Sequence, residues 1–153
     1  MQRTIVAVAI MLLFGGCIHI NLYEKQVAIP SQKWTYNFAP EYSFEIKDTT
    51  SRFYIYIVIR HTDKYQFNNI WLRVGSKAPG EKMDFQKVNV QLADKDSWEG
   101  VGMNDIYEVR KMISPGAVSF RKSGVYTFSI AQIMRENPLK YILNVGIRLE
   151  KAE

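Results

Sequence analysis

Apolar side chains recur with a period of two along most of this chain, and no other feature restricts its fold as strongly. A strand sends successive side chains to opposite faces, whereas a helix needs a period of about 3.6. Tyr42, Phe44 and Ile46 alternate with Ser43, Glu45 and Lys47. Val88, Val90 and Leu92, then Tyr126, Phe128 and Ile130, then Leu143, Val145, Ile147 and Leu149 repeat the pattern. Trp34, Tyr36 and Phe38 begin it. Each run has one apolar and one more polar face, which suits an antiparallel sheet covered on one side. The stretch 53–59 (FYIYIVI) is apolar on both faces and reads as a central strand. Residues 70–74 and 117–121 are weaker strand candidates.

Turn signals punctuate these runs at Ala39-Pro40, Asp48-Thr49-Thr50, Pro79-Gly80, Ser123-Gly124 and Asn137-Pro138. The expected fold is mainly β: an antiparallel two-sheet β-sandwich, jelly-roll-like, with about eight strands. One short helix is expected after Asn104. Asn104 is its cap, Asp105 lies in its first turn, Ile106, Val109 and Ile113 form its apolar stripe, and Ser114-Pro115-Gly116 stops it.

The first residues follow other rules. Arg3 is followed by an unbroken apolar run, residues 5–14 (IVAVAIMLLF), and then Gly15, Gly16 and Cys17. Ten residues make about 15 Å of helix, half a bilayer core, so the run reads as a secretory signal rather than a span. Small residues before a cysteine resemble a bacterial lipobox, although Phe14 stands where leucine is usual. The thiol of Cys17 would take a diacylglyceryl group by thioether formation. The alternative is an ordinary signal with an incidental cysteine. The expected organisation is a signal peptide over 1–16, an acylated N-terminus and tether over 17–32, and a β-sandwich over 33–153. Ile18 rather than aspartate follows the cysteine, and no acidic run comes after it. Both features point to the periplasmic face of the outer membrane.

Composition narrows the function. A chain of 153 residues, 47% apolar and 23% charged, is one folded domain. The single cysteine excludes an intramolecular disulfide and a cysteine-based zinc site. A net charge of +5 permits contact with anionic lipid or polymer without demanding nucleic acid. No catalytic constellation, metal site or cofactor is marked. His61 reads as a loop histidine after a strand. Asp94, Asp96 and Asp105 do not satisfy a calcium loop, because Trp98 and Glu99 fall where an oxygen ligand and glycine belong. Gly100-Val101-Gly102 lacks the rest of a phosphate-binding loop. Trp34, Trp71 and Trp98 would stack on sugars if exposed in a row.

Several segments resemble a known family when taken together. They are residues 59–62 (IRHT), 65–72 (YQFNNIWL), 90–94 (VQLAD), 98–100 (WEG), 102–109, 134–139 (MRENPL) and 144–148 (NVGIR). The chain looks like the gliding-motility lipoprotein family GldH. The resemblance implies an outer-membrane-anchored, non-catalytic component of the gliding machinery, with a role that extends to linked secretion. It would act through protein partners, with membrane attachment at Cys17. The candidate partner surface comprises Tyr65, Asn68, Asn69, Trp71, Asp94, Asp96, Trp98 and Asp105. Such loops mix aromatic anchors with hydrogen-bonding groups. A carbohydrate-binding envelope lipoprotein on the same scaffold is the alternative.

Overall fold

A computed structural model describes residues 22–95 and 97–153. Among them run fourteen strands: β1 Leu22–Ala28, β2 Lys33–Trp34, β3 Glu41–Ile46, β4 Arg52–Thr62, β5 Asn69–Lys77, β6 Asp84–Gln91, β7 Ala93–Asp94, β8 Ser97–Trp98, β9 Val101–Met103, β10 Ile106–Met112, β11 Val118–Ser119, β12 Gly124–Gln132, β13 Leu139–Lys140 and β14 Ile142–Lys151. One sheet has the order β1-β14-β4-β10-β9, with β11 continuing along β4. The second has the order β3-β12-β5-β6. Every pairing is antiparallel.

The eight long strands are nested. The first pairs with the last (β1 with β14), the second with the seventh (β3 with β12), the third with the sixth (β4 with β10) and the fourth with the fifth (β5 with β6). This is one long hairpin rolled into two sheets, the topology of a jelly roll. The expected sandwich is therefore the observed fold.

Burial follows the period of two. In β3 it reads exposed-buried three times over, with Tyr42, Phe44 and Ile46 inward. They meet Ile55, Ile57 and Ile59 of β4 and Val145, Ile147 and Leu149 of β14 in one continuous core. The Tyr42 hydroxyl crosses the sandwich to donate to the Val145 carbonyl at 2.7 Å.

Rolling the hairpin sorts the connections into two ends. Residues 29–40, 63–68, 92–105 and 133–141 gather at one end. Residues 47–51, 78–83 and 113–123 gather at the other. Backbone bonds tie the first end together: Thr62 N–H donates to the Tyr141 carbonyl at 3.1 Å, Asp63 N–H to Asp105 at 2.9 Å and Tyr141 N–H to Gln32 at 2.9 Å. Trp34 is fully buried beneath it, and its indole donates to the Phe38 carbonyl at 2.7 Å. Buried Gln132 serves three backbone groups. Its amide donates to the carbonyls of Trp34 and Glu136, and its oxygen accepts from Met134 N–H.

Three expectations are corrected. The helix expected after Asn104 is strand β10, paired with β4 and β9. Asn104 and Asp105 are not a cap. Both have positive φ (49° and 64°) and form the two-residue turn of the β9–β10 hairpin, a conformation that asparagine and aspartate tolerate well. The only helical turn described is a short 3₁₀ segment, Pro30–Gln32. The sandwich also starts earlier than residue 33, because Leu22–Ala28 pairs along β14 where a tether was expected to run. Finally, residues 35–38 form a turn rather than extending the strand at Trp34.

Replacing Gln132 by Leu leaves the Trp34 and Glu136 carbonyls and the Met134 amide without their partner. A loss of about 3 kcal/mol is expected, read as a Tm drop of roughly 6–12 °C in a melting curve.

Candidate functional site

At the end where four connections meet, an open cavity of about 400 Å³ lies between two loops. The β4–β5 loop supplies Tyr65, Gln66, Phe67 and Asn68. The β7–β8 hairpin supplies Ala93, Asp94, Lys95, Ser97 and Trp98. Local backbone bonds hold the two walls in place. The Asn68 carbonyl accepts from both Leu92 N–H (2.8 Å) and Ala93 N–H (3.0 Å), and Glu99 N–H donates back to Leu92 at 2.8 Å. Gly100 then turns the chain at φ 84°. A Cβ there would clash with the Glu108 carbonyl oxygen, so only glycine passes.

Behind the cavity four rings pack together. Trp98 lies 4.6 Å from His61, 6.4 Å from Tyr65 and 5.9 Å from Tyr107, between ring centroids. His61 lies 5.7 Å from Tyr65 and 5.8 Å from Tyr107. Tyr65 is buried and its hydroxyl donates to the Asn69 carbonyl at 3.0 Å. Burial raises its pKa well above the usual phenol range.

His61 corrects a further expectation. It is not in a loop but within β4, fully buried. The alternation carried the signal: Ile55, Ile57, Ile59 and His61 occupy successive inward positions. Nδ1 sits 2.9 Å from the Thr62 carbonyl and so carries the proton. Nε2 is the one buried side-chain nitrogen or oxygen without a hydrogen-bond partner among the described residues. Burial pushes the imidazole pKa down, partly offset by the bond to Thr62, and holds the ring neutral.

Four of the eight expected surface residues converge on the cavity: Tyr65, Asn68, Asp94 and Trp98. Asn69 lies behind it, and its amide donates to the Asn89 side chain at 2.8 Å. Trp71 is on the outer face of the second sheet, exposed between buried Ile70 and Leu72. Asp105 is in the β9–β10 turn and contributes its carbonyl to Asp63. Asp96 and Cys17 lie outside the described residues. The three tryptophans form no row: Trp34 is core, Trp71 is on a sheet face and Trp98 is in the cavity wall. Gln66, Phe67, Lys95 and Ser97, exposed or half-buried, also line the cavity; they fall within the loop spans 65–71 and 94–105 expected to form the surface, without having been singled out there, and Ala93 lies just outside those spans. No group of three or more His, Cys, Asp or Glu suited to a metal ion occurs among the described residues.

These features define a small jelly-roll domain with an aromatic-walled, polar-rimmed cleft at one end of the sandwich. The chain belongs to the GldH lipoprotein family, whose model matches residues 21–149. A gliding motility lipoprotein GldH homolog of Christiangramia forsetii is 27% identical over 151 residues, covering 94% of this chain and 91% of that protein. The gliding motility lipoprotein GldH of Flavobacterium johnsoniae is 26% identical over 157 residues, covering 97% and 96%. A solved structure of tomato aspermy virus aligns over the whole chain and 95% of its own, at 7% identity and a TM-score of 0.34, a likeness too loose to bear on function.

The buried imidazole predicts a pH dependence. The unfolded chain takes up a proton near pH 6.5, while folded His61 resists it to lower pH. The unfolded state then binds more protons, so stability falls as pH drops below about 6.5. Melting curves between roughly pH 7 and 5 should show this decline, and His61→Phe should flatten it. Parallel declines in the two proteins would mean that another group carries the effect.

Proposed function

We propose that this chain is an acylated envelope lipoprotein of the gliding-motility machinery, held to the outer membrane through Cys17 on its periplasmic side. It works by contacts made at the loop end of the sandwich rather than by catalysis. Family membership supports the motility role, since relatives over nearly the whole chain are described as gliding motility lipoproteins. The observation that carries the binding role is the cleft itself. Tyr65, Phe67 and Trp98 provide apolar wall. The side chains of Gln66, Asn68 and Lys95 have no hydrogen-bond partner among the described residues and stand free for a ligand. Such a mixture of ring and amide is what a protein partner's anchor side chains require.

A second reading draws on the same cleft. A sugar ring can stack on Trp98 while Asn68 and Asp94 take its hydroxyls. The cleft volume falls in the range of small-ligand sites.

The test uses the tagged full-length protein in its native host, crosslinked and recovered beside Cys17→Ala, Asn68→Ala and Asp94→Ala. Asn68 and Asp94 are exposed, so melting should be unchanged. Motility proteins should be recovered with the parent protein and lost, by about tenfold or more, from the loop variants. Cys17→Ala should leave the membrane fraction. Equal recovery from all four proteins would refute the docking role. Retention on immobilised envelope polysaccharide, abolished by Asn68→Ala, would favour the second reading.

A further inference from the structure

The direction of β1 gives the sandwich a lower end. Leu22 pairs with Glu150 and Ala28 with Asn144, so the chain enters at the end formed by residues 47–51, 78–83 and 113–123 and runs toward the cleft. Five residue steps separate Cys17 from Leu22. Whatever path they take, they span at most about 18 Å. A lipid on Cys17 therefore keeps this end close to the headgroups.

The side chains at this end match that location. Arg52, Lys77, Lys82 and Arg121 are exposed and have no carboxylate within salt-bridge distance among the described residues. Lys122 pairs with Glu81 at 2.6 Å, Lys151 lies 3.9 Å from Asp48 and Lys47 3.6 Å from Glu45. Acids are fewer here than bases. At the cleft end that excess is absent among the described residues: Asp63, Asp94, Glu99, Asp105 and Glu136 in the connecting loops are matched by Lys33, Lys64, Lys95, Arg135 and Lys140. A small apolar notch opens beside the basic end, lined by Tyr23, Phe44, Ile46, Phe53 and Leu149. Exposed Val125 stands nearby on β12, opposite Glu45.

We propose that the β1 end of the sandwich is a membrane-seating surface for anionic phospholipid headgroups, which holds the domain upright with its cleft pointed away from the bilayer. The inference rests on the acylation of Cys17. Seating supplies what a lipid cannot, because attachment at a single point does not fix the orientation of the body. Basic side chains within about one Debye length of an anionic surface are drawn to it, while the cleft end, with acids and bases in balance, gains no such attraction. Tyr23 and Val125 sit where amphipathic and apolar groups meet the interface.

Full-length acylated protein reconstituted in vesicles tests this. Acylation leaves the chain without a free thiol, so a single dye can be placed at Ser123→Cys on the basic end or at Gln66→Cys on the cleft end. The two sites are separated by a strand length of roughly 30 Å. Energy transfer to a headgroup-labelled lipid is then measured. The vesicles are phosphatidylcholine alone, or phosphatidylcholine with roughly a quarter phosphatidylglycerol, enough anionic lipid to attract basic side chains. With phosphatidylglycerol, transfer should be strong from position 123 and weak from 66. The difference should shrink in neutral vesicles, in high salt, and in the doubly reversed Lys82→Glu, Arg121→Glu protein, whose melting should match the parent. Equal transfer from both positions on anionic vesicles, or stronger transfer from 66, overturns the proposal. A protein that lacks the lipid mass increment and washes off the vesicles overturns the anchoring and the seating together, an outcome distinct from a retained but unoriented domain.

Discussion

The antiparallel pairing of β4 with β14 is the contact on which the rest of the sandwich depends. It joins residues 53–61 to residues 142–151, about ninety positions apart, and places both strands at the centre of the larger sheet. Ile55, Ile57 and Ile59 of one strand face the same core as Leu149, Ile147 and Val145 of the other. Each fully buried aliphatic side chain contributes about 1.5–3 kcal/mol. β1 and β10 add to the two outer edges of this pair, and the second sheet closes over its inner face. On the outer face, Val58 has no exposure although it points away from the core. Its register partners are Arg110 on β10 and Gly146 on β14, and Arg148 bridges Glu24 and Glu150 along the same face. The double apolarity of 53–59 thus reflects a strand covered by core on one side and by long charged side chains on the other.

The long strands of the core were legible in the sequence because one face is buried and the period of two survives in the residue types. β1 was not, for a definite reason. Its inward positions are Tyr23, Lys25 and Val27, and a lysine breaks the pattern. Lys25 is tolerated at this sheet edge because its ammonium donates to the Ser43 carbonyl at 2.7 Å and lies 5.3 Å from the Tyr23 ring and 5.8 Å from Phe44. The mistaken helix failed for the opposite reason. Ile106, Val109 and Ile113 fit a helical stripe, yet a strand edge exposing Arg110, Lys111 and Met112 accommodates the same letters. Helical and extended readings of so short a segment differ only in what it packs against, and here β4 decides.

The cleft was half legible. Tyr65, Asn68, Asp94 and Trp98 come from two connections that the jelly roll must bring to one end, so loop composition pointed in the right direction. Trp71 misleads because exposure on a sheet face and exposure in a loop are indistinguishable in a sequence. His61 was missed because a polar residue at the end of an apolar strand reads as the start of a loop. In the fold it is the ring against which Trp98 rests. The cleft wall is therefore part of the core, and its shape is set by packing rather than by the mobility of a surface loop.

Nested pairing has a consequence for how such a chain is made. Because β1 and β4 both wait for β14, neither sheet edge nor sheet centre is complete until residues 142–151 have emerged. A polypeptide delivered N-terminus first thus stays open for nearly its whole length and closes late, in one step dominated by distant contacts. On the envelope location proposed above, that order of events would leave the chain unfolded while it is threaded across a membrane.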